Sequence, residues 1–251
     1  MQLKWRAGLI HGFLIAYSLI AVLPILLVVM NSFKIRKAIF GTPLALPSAE
    51  TFSLVGYVKV LGNANIGIYF FNSLSVTLIS MATVLLFGAM AAWALAEYRF
   101  KGSNLLALFL SIGIMVPIRL GSISILHMMV DLNLVNTRLA LILVYTAQGL
   151  PMAIFILSEF INQIPRDLRD AARCDGVPEI AIFFQVIAPL LRPAIATVAV
   201  FTIVPIWNDL WFPLLLAPGN DTQTITLGIQ QFIGQYTVSY THLTLPTILL
   251  V

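Results

Sequence analysis

The chain has 251 residues, 60% of them hydrophobic and only 10% charged, with a formal net charge of +4. Soluble globular domains carry about 25% charged residues, so this composition cannot coat a water-facing surface, and soluble folds are excluded. A single cysteine, Cys174, rules out a disulfide scaffold, and the low charge rules out disorder. The basic balance is what a membrane protein with cationic inner loops shows, so it gives no reason to expect a nucleic-acid partner.

Charge spacing locates the membrane spans, because a helix needs about 20 apolar residues to cross a hydrocarbon core of roughly 30 Å. Uncharged stretches of 27, 37, 17, 20 and 16 residues lie between Arg6 and Lys34, Lys59 and Glu97, Lys101 and Arg119, Arg138 and Glu159, and Arg192 and Asp209. They predict an all-α polytopic membrane bundle with five full spans at about 9–31, 70–96, 104–127, 139–160 and 187–215. The first has Pro24 inside it and no small-residue cleavage site, so it reads as a retained anchor rather than a secretory signal.

With the N-terminus in the cytoplasm, the inner segments hold eight Lys and Arg against five outside, although Lys34-Ile-Arg-Lys37 counts for the other side. Residues 32–69 contain turn signals without sustained periodicity and are placed outside, as a cap. Residues 161–186 are punctuated as a helix, a glycine turn and a second helix. Pro165 suits a first turn, Asp167 and Asp170 follow near its positive end, Gly176 stands at the C-terminal cap, and a second helix runs from Pro178-Glu179 to Pro189. At 100° per residue, Leu168, Ala171 and Ala172 share one arc and Arg166, Arg169, Asp170 and Arg173 the opposite one. One face is apolar and small, and the other is a charged stripe of both signs.

Asp170-Ala171-Ala172, then Gly176, Val186, Ala188 and Pro189, resembles the cytoplasmic EAA loop of binding-protein-dependent ABC importer permeases. That pattern reads Glu-Ala-Ala, Gly, Ile, Leu, Pro at the same spacing. Here Asp replaces Glu, Val replaces Ile and Ala replaces Leu. Gln148-Gly-Leu-Pro151, Trp207-Asn-Asp209 and Thr226-Leu-Gly228 are similar to the maltose-type subclass, which imports sugars and oligosaccharides.

The resemblance implies a permease subunit with no catalytic chemistry and no bound cofactor. ATP would be hydrolysed on separate cytoplasmic ATPase subunits that receive the coupling loop, residues 161–186, through Asp170, Ala171, Ala172, Gly176 and Pro189. A second permease subunit, an extracytoplasmic solute-binding protein and the lipid bilayer complete the expected partners, and a bacterial-type inner membrane is the expected location. Asp170 is either a solvated helix charge or a contact at the ATPase interface.

Other polar residues have two readings each. Either the third span breaks at Pro117 and Arg119 reaches the outer surface, or Arg119 pairs at the outer mouth with Asp131 or Asp209. Trp207, Asn208 and Asp209 either anchor the fifth span at the interface or line the translocation path. Glu97 and Glu159, at span ends, are read as interfacial. Residues 1–237 are expected to form the importer transmembrane domain. The last 14 residues, 238–251, depart from the family pattern and read as a non-native tail in place of a sixth span. The alternative function is a secondary transporter or channel for another small solute, which would carry interrupted helices in a repeat and coupling carboxylates inside the membrane.

Overall fold

A computed structural model of the chain describes residues 2–62, 64–98 and 100–230. The proposed tail at 238–251 lies outside the described residues. These residues form helices α1 (Gln2–Ser32), α2 (Arg36–Gly41), α3 (Val55–Leu61), α4 (Ala64–Glu97), α5 (Ser103–Met115), α6 (Ser122–Asp131), α7 (Arg138–Gln163), α8 (Arg166–Cys174), α9 (Glu179–Ile182), α10 (Ala188–Leu190), α11 (Arg192–Asn208) and α12 (Trp211–Leu216). The chain divides into two compact units, Met1–Ala64 and Asn65–Val251.

In the first unit, α1 is followed by a segment held by one antiparallel bridge between Lys34 and Phe52. Residues 32–69, read above as an outer loop with turn signals, contain the short helices α2 and α3 and the start of α4. Lys34, counted above as an outer charge, is buried and donates from Nζ to the carbonyls of Thr42 and Pro43 at 3.0 and 3.4 Å, just past the end of α2. Cations at helix C-termini satisfy carbonyls that have no partner within the helix, so this lysine has a local structural role.

In the second unit α4 and α7 cross through small residues. A Cβ on Gly149 would lie 2.8 Å from the Val84 side chain, and one on Gly88 would lie 2.9 Å from the Ala153 Cβ. The Thr83 and Thr146 hydroxyls hydrogen-bond across the same contact at 2.7 Å. Close backbone approach plus an interhelical hydrogen bond is how apolar helices associate where burial against lipid provides no hydrophobic drive. One core cluster runs from Val84 and Trp93 on α4 through Leu157 and Ile161 on α7 to Ile182, Ile187 and Val198. A second gathers Val76, Leu141, Tyr145, Phe212 and Leu216.

Ile10–Ser32, Asn65–Glu97 and Arg138–Gln163 are long and apolar enough to cross a membrane. The other two expected spans are not single helices. Residues 104–127 fall on α5 and on a second piece, Ile118–Asp131, bent by 88°. Pro117 is the physical reason, since it offers no N–H and forces the preceding Val116 into extended geometry at φ −82°, ψ 118°. Residues 187–215 are likewise divided: Glu179–Leu190 and Arg192–Asn208 meet at 77°, and Asp209 and Leu210 separate α11 from α12. The helix expected from Pro178 to Pro189 opens into a π-turn at Phe183–Ile187. Pro189 has no N–H for the carbonyl four residues earlier, and the widened turn sits just before it.

Candidate functional site

Two constellations carry the polar chemistry of the second unit. The first is built around α8. Pro165 precedes the helix, Asp167 lies in its first turn and Arg173 in its last. At its end the Val177 N–H reaches the Ala172 carbonyl and the Gly176 N–H reaches the Arg173 carbonyl, both at 3.0 Å, with Gly176 at φ +75°. This is the paired hydrogen-bond pattern of a Schellman cap. Ala172 and Val177 both pack against the core cluster, supplying the apolar contact that accompanies such caps.

The faces of α8 are disposed in a way that helix periodicity alone did not reveal. Leu168, Asp170, Ala171 and Cys174 are exposed, whereas Arg169, expected on a solvated charged stripe, is buried. Arg169 Nη1 and Arg173 Nη2 each donate to Glu97 at the end of α4, at 2.5 Å, one to each carboxylate oxygen. The Glu97 side chain, at the end of its span, is only 10% exposed and is paired rather than solvated. The Arg169 guanidinium also lies over the Trp93 ring, 5.7 Å from its centroid.

Arg173 continues the network. It donates to Glu179 from Nε at 2.7 Å and to Asp170 from Nη1 at 3.0 Å, while the Tyr98 hydroxyl donates to Glu179 at 2.9 Å. The hydrogen bond from Arg173 holds the Glu179 carboxyl below its ordinary range, and the bonds to Glu179 and Glu97 raise Arg173 above its own. Desolvation, followed by the bond to Glu179, raises the Tyr98 phenol. Charge-assisted bonds of this kind are about twice as strong as neutral ones.

Within the proposed coupling loop, Asp170, Ala171 and Ala172 sit on α8 and Gly176 in its cap, whereas Pro189 lies on α10, beyond the π-turn and next to the bend into α11. Sequence reading missed Glu97, Tyr98 and Glu179 as parts of the site. The available signal was a face carrying three arginines, Arg166, Arg169 and Arg173, against the single acid Asp170.

The second constellation is a recess of about 230 Å³ lined by Arg119, Tyr145, Gln148, Phe201, Asp209 and Phe212, among others. Asp209 organises it. Its Oδ1 accepts from Arg119 Nη2 and the Trp211 N–H, both at 3.2 Å, and its Oδ2 accepts from the Tyr145 hydroxyl at 2.9 Å and the Phe212 N–H at 3.2 Å. The carboxylate thus caps α12 while holding Arg119, just after Pro117, and Tyr145 on α7, and its side chain is 8% exposed against 67% for Arg119. Of the two partners considered for Arg119, Asp209 is the one it meets.

Trp207 and Asn208 do not line this recess. Trp207 packs edge-on against Phe70, and the Asn208 amide donates to the Val204 carbonyl within its own helix. Tyr145, Gln148 and Phe201 do line it and were not anticipated. Tyr145, Gln148, Gly149 and Met152 recur at helical spacing in an otherwise apolar span, and that stripe was the signal available.

A family profile described as the binding-protein-dependent transport system inner membrane component matches residues 84–251. The chain belongs to this family. It is 35% identical to the diacetylchitobiose uptake system permease protein NgcG of Streptomyces coelicolor, over 93% of this chain and 78% of that one. It is 31% identical to the arabinooligosaccharides transport system permease protein AraQ of Halalkalibacterium halodurans, over 95% and 84% of the two chains. The structure resembles the crystal structure of a bacterial ABC transporter involved in the import of the acidic polysaccharide alginate, with a TM-score of 0.75 at 23% identity, covering 92% of this chain and 80% of that one. The chain is therefore a permease subunit of a binding-protein-dependent importer, and the secondary-transporter reading is set aside.

Proposed function

We propose that this permease subunit carries a sugar or short oligosaccharide across a bacterial inner membrane. It does so as one of two permease subunits, and residues 161–186 couple it to separate cytoplasmic ATPase subunits. ATP is bound and hydrolysed on those partners, this chain holds no cofactor, and an extracytoplasmic solute-binding protein delivers the substrate. The N-terminus is cytoplasmic, each bent helix pair crosses the membrane once, and residues 1–237 make up the transmembrane domain with five crossings.

The exposed face of α8 carries this reading. Its charged residues Arg169 and Arg173 turn inward onto Glu97, leaving Leu168, Ala171 and Asp170 outward, backed by a rigid glycine cap. A small apolar face on a helix braced from behind suits seating in a groove of a cytoplasmic partner. Closure of the ATPase dimer would bias the spans between two states through differential contacts at this loop. For the substrate, the recess combines the exposed aromatic ring of Phe201, with Tyr145 and Phe212 in its wall, with the amide of Gln148 and the Arg119–Asp209 pair. Sugars present apolar ring faces and hydroxyls that both donate and accept, which such a lining matches. The permeases named for diacetylchitobiose and arabinooligosaccharides support the same class.

The test is uptake by membrane vesicles containing the assembled importer, offered radiolabelled diacetylchitobiose and arabinotriose. ATP-dependent import of either is expected, falling at least tenfold with Gln148→Ala. Import of labelled amino acids but of neither sugar would sink the assignment.

A further inference from the structure

We propose that Glu97 is a positioning residue that makes α4 move as one body with the docking helix α8, and that Arg173 relays contact at Asp170 to it. This rests on the coupling-loop reading above and adds to it a route from that loop into a membrane span.

The geometry has two arms meeting on one carboxylate. The inner arm is Arg169, 4% exposed at its side chain, held between Glu97 Oε2 and the Trp93 ring, both belonging to the last turns of α4. It also donates to the Ile164 carbonyl at 3.4 Å, where α7 gives way to α8. Held at both Nη atoms and against an aromatic ring inside the protein, with Nε buried and unpartnered, the guanidinium has little room to rearrange, and the arm behaves as a strut. The outer arm is Arg173, whose planar fork is divided among three carboxylates: Glu97, Glu179 and Asp170. Of these, Asp170 is the most exposed, at 62%, and it lies on the outward side of α8.

A partner cation that takes Asp170 removes one of the three acceptors from Arg173. The guanidinium then redistributes onto Glu97 and Glu179. Glu97 closes α4, and Glu179 opens the segment that passes through the π-turn into α11. One contact on the docking face therefore strengthens the attachment of α8 to both elements, with no change required in the apolar packing. Glu97 serves both arms because its two oxygens face different arginines, and a neutral amide of the same shape cannot accept on both sides.

The experiment uses the complete importer assembled with its ATPase subunits, with Cys174→Ser and paired spin labels at Leu86→Cys on α4 and Arg166→Cys at the start of α8, outside the Leu168–Ala171 docking face. Distances are measured by pulsed electron resonance before and after MgATP. With Glu97 present, the distance distribution is expected to be the same in both conditions. With Glu97→Gln, the ATPase subunits are expected to co-purify normally while the distribution shifts or at least doubles in width on MgATP. An unchanged narrow distribution in Glu97→Gln overturns the proposal.

Should Glu97→Gln fail to assemble, Arg173→Lys decides the matter. It keeps the charge but removes the fork, and MgATP-dependent broadening is expected, whereas a rigid pair overturns the relay. Loss of ATPase co-purification in an otherwise wild-type chain carrying changes at Leu168 and Ala171 reports on docking itself, so failure of the docking reading is read separately from failure of the strut.

Discussion

Gly176 shows how narrowly a single residue can be constrained. Its φ of +75° lies in the left-handed region, yet a Cβ placed there would meet nothing within 4 Å. The constraint is therefore one of backbone conformation rather than space. A β-branched side chain at this φ costs about 1–2 kcal/mol, and Asn, which tolerates the region, costs less. Gly176→Val is expected to fray the cap of α8 and lower substrate import per ATP hydrolysed severalfold, while Gly176→Asn stays near wild type. Reconstituted vesicles, with uptake and phosphate release measured together, check this, and equal coupling in both variants would show that the cap geometry does not matter. Gly176 was legible in the sequence because helix termination is decided by a few neighbouring residues. Glu97 was not, because its arginine partners lie 72 and 76 residues further along the chain and only the packing of α8 under α4 brings them together.

At the scale of elements, the crossing of α4 and α7 depends on two glycines and a threonine pair. Val84 is fully buried, so the 2.8 Å approach of a new Cβ at position 149 cannot be relieved by moving its side chain into open space. Overpacking of this kind costs about 1–3 kcal/mol. Gly149→Val is expected to lower the thermal midpoint of the detergent-solubilised chain by roughly 3–8 °C, with partial recovery when Val84→Ala is added. A midpoint unchanged by Gly149→Val would show that the two helices are not in register as described. The long unbroken helices α1, α4 and α7 were readable from charge-free stretches, since hydropathy and length alone decide them. The broken ones were not, because a gap between charges says nothing about direction. Prolines marked both breaks, Pro117 the first and Pro189 with Pro193 the second, but nothing equally plain marked the capping role of Asp209, whose four hydrogen-bond donors come from three separate stretches of chain.

For the whole molecule, the two bent pairs decide which side of the membrane each loop occupies. If the α5–α6 pair crosses, then α8 follows four crossings and shares the side of the N-terminus. If that pair instead enters and leaves by the same face, α8 follows three crossings and lies on the opposite side from residue 103. Helix α5 has 13 residues and covers about 20 Å of the roughly 30 Å core, so the rest of a crossing must come from the segment after Pro117. That segment ends in Asp131 and is followed by Asn133 and Asn136, both at positive φ, with the Asn136 side chain accepting from Gly219 and Thr222. Polar turns of this kind belong at a water-facing surface, and the single crossing proposed above for this pair puts the turn across the membrane from residue 103. In a Cys174→Ser background, single cysteines at Ser103 and Asp167 are therefore expected to be equally protected from an impermeant thiol reagent in intact spheroplasts, and one at Ser48 to be labelled. All three should react once the membrane is opened. Labelling at Asp167 with protection at Ser103 would show that the α5–α6 pair does not cross, and it would remove α8 from the reach of any cytoplasmic ATPase.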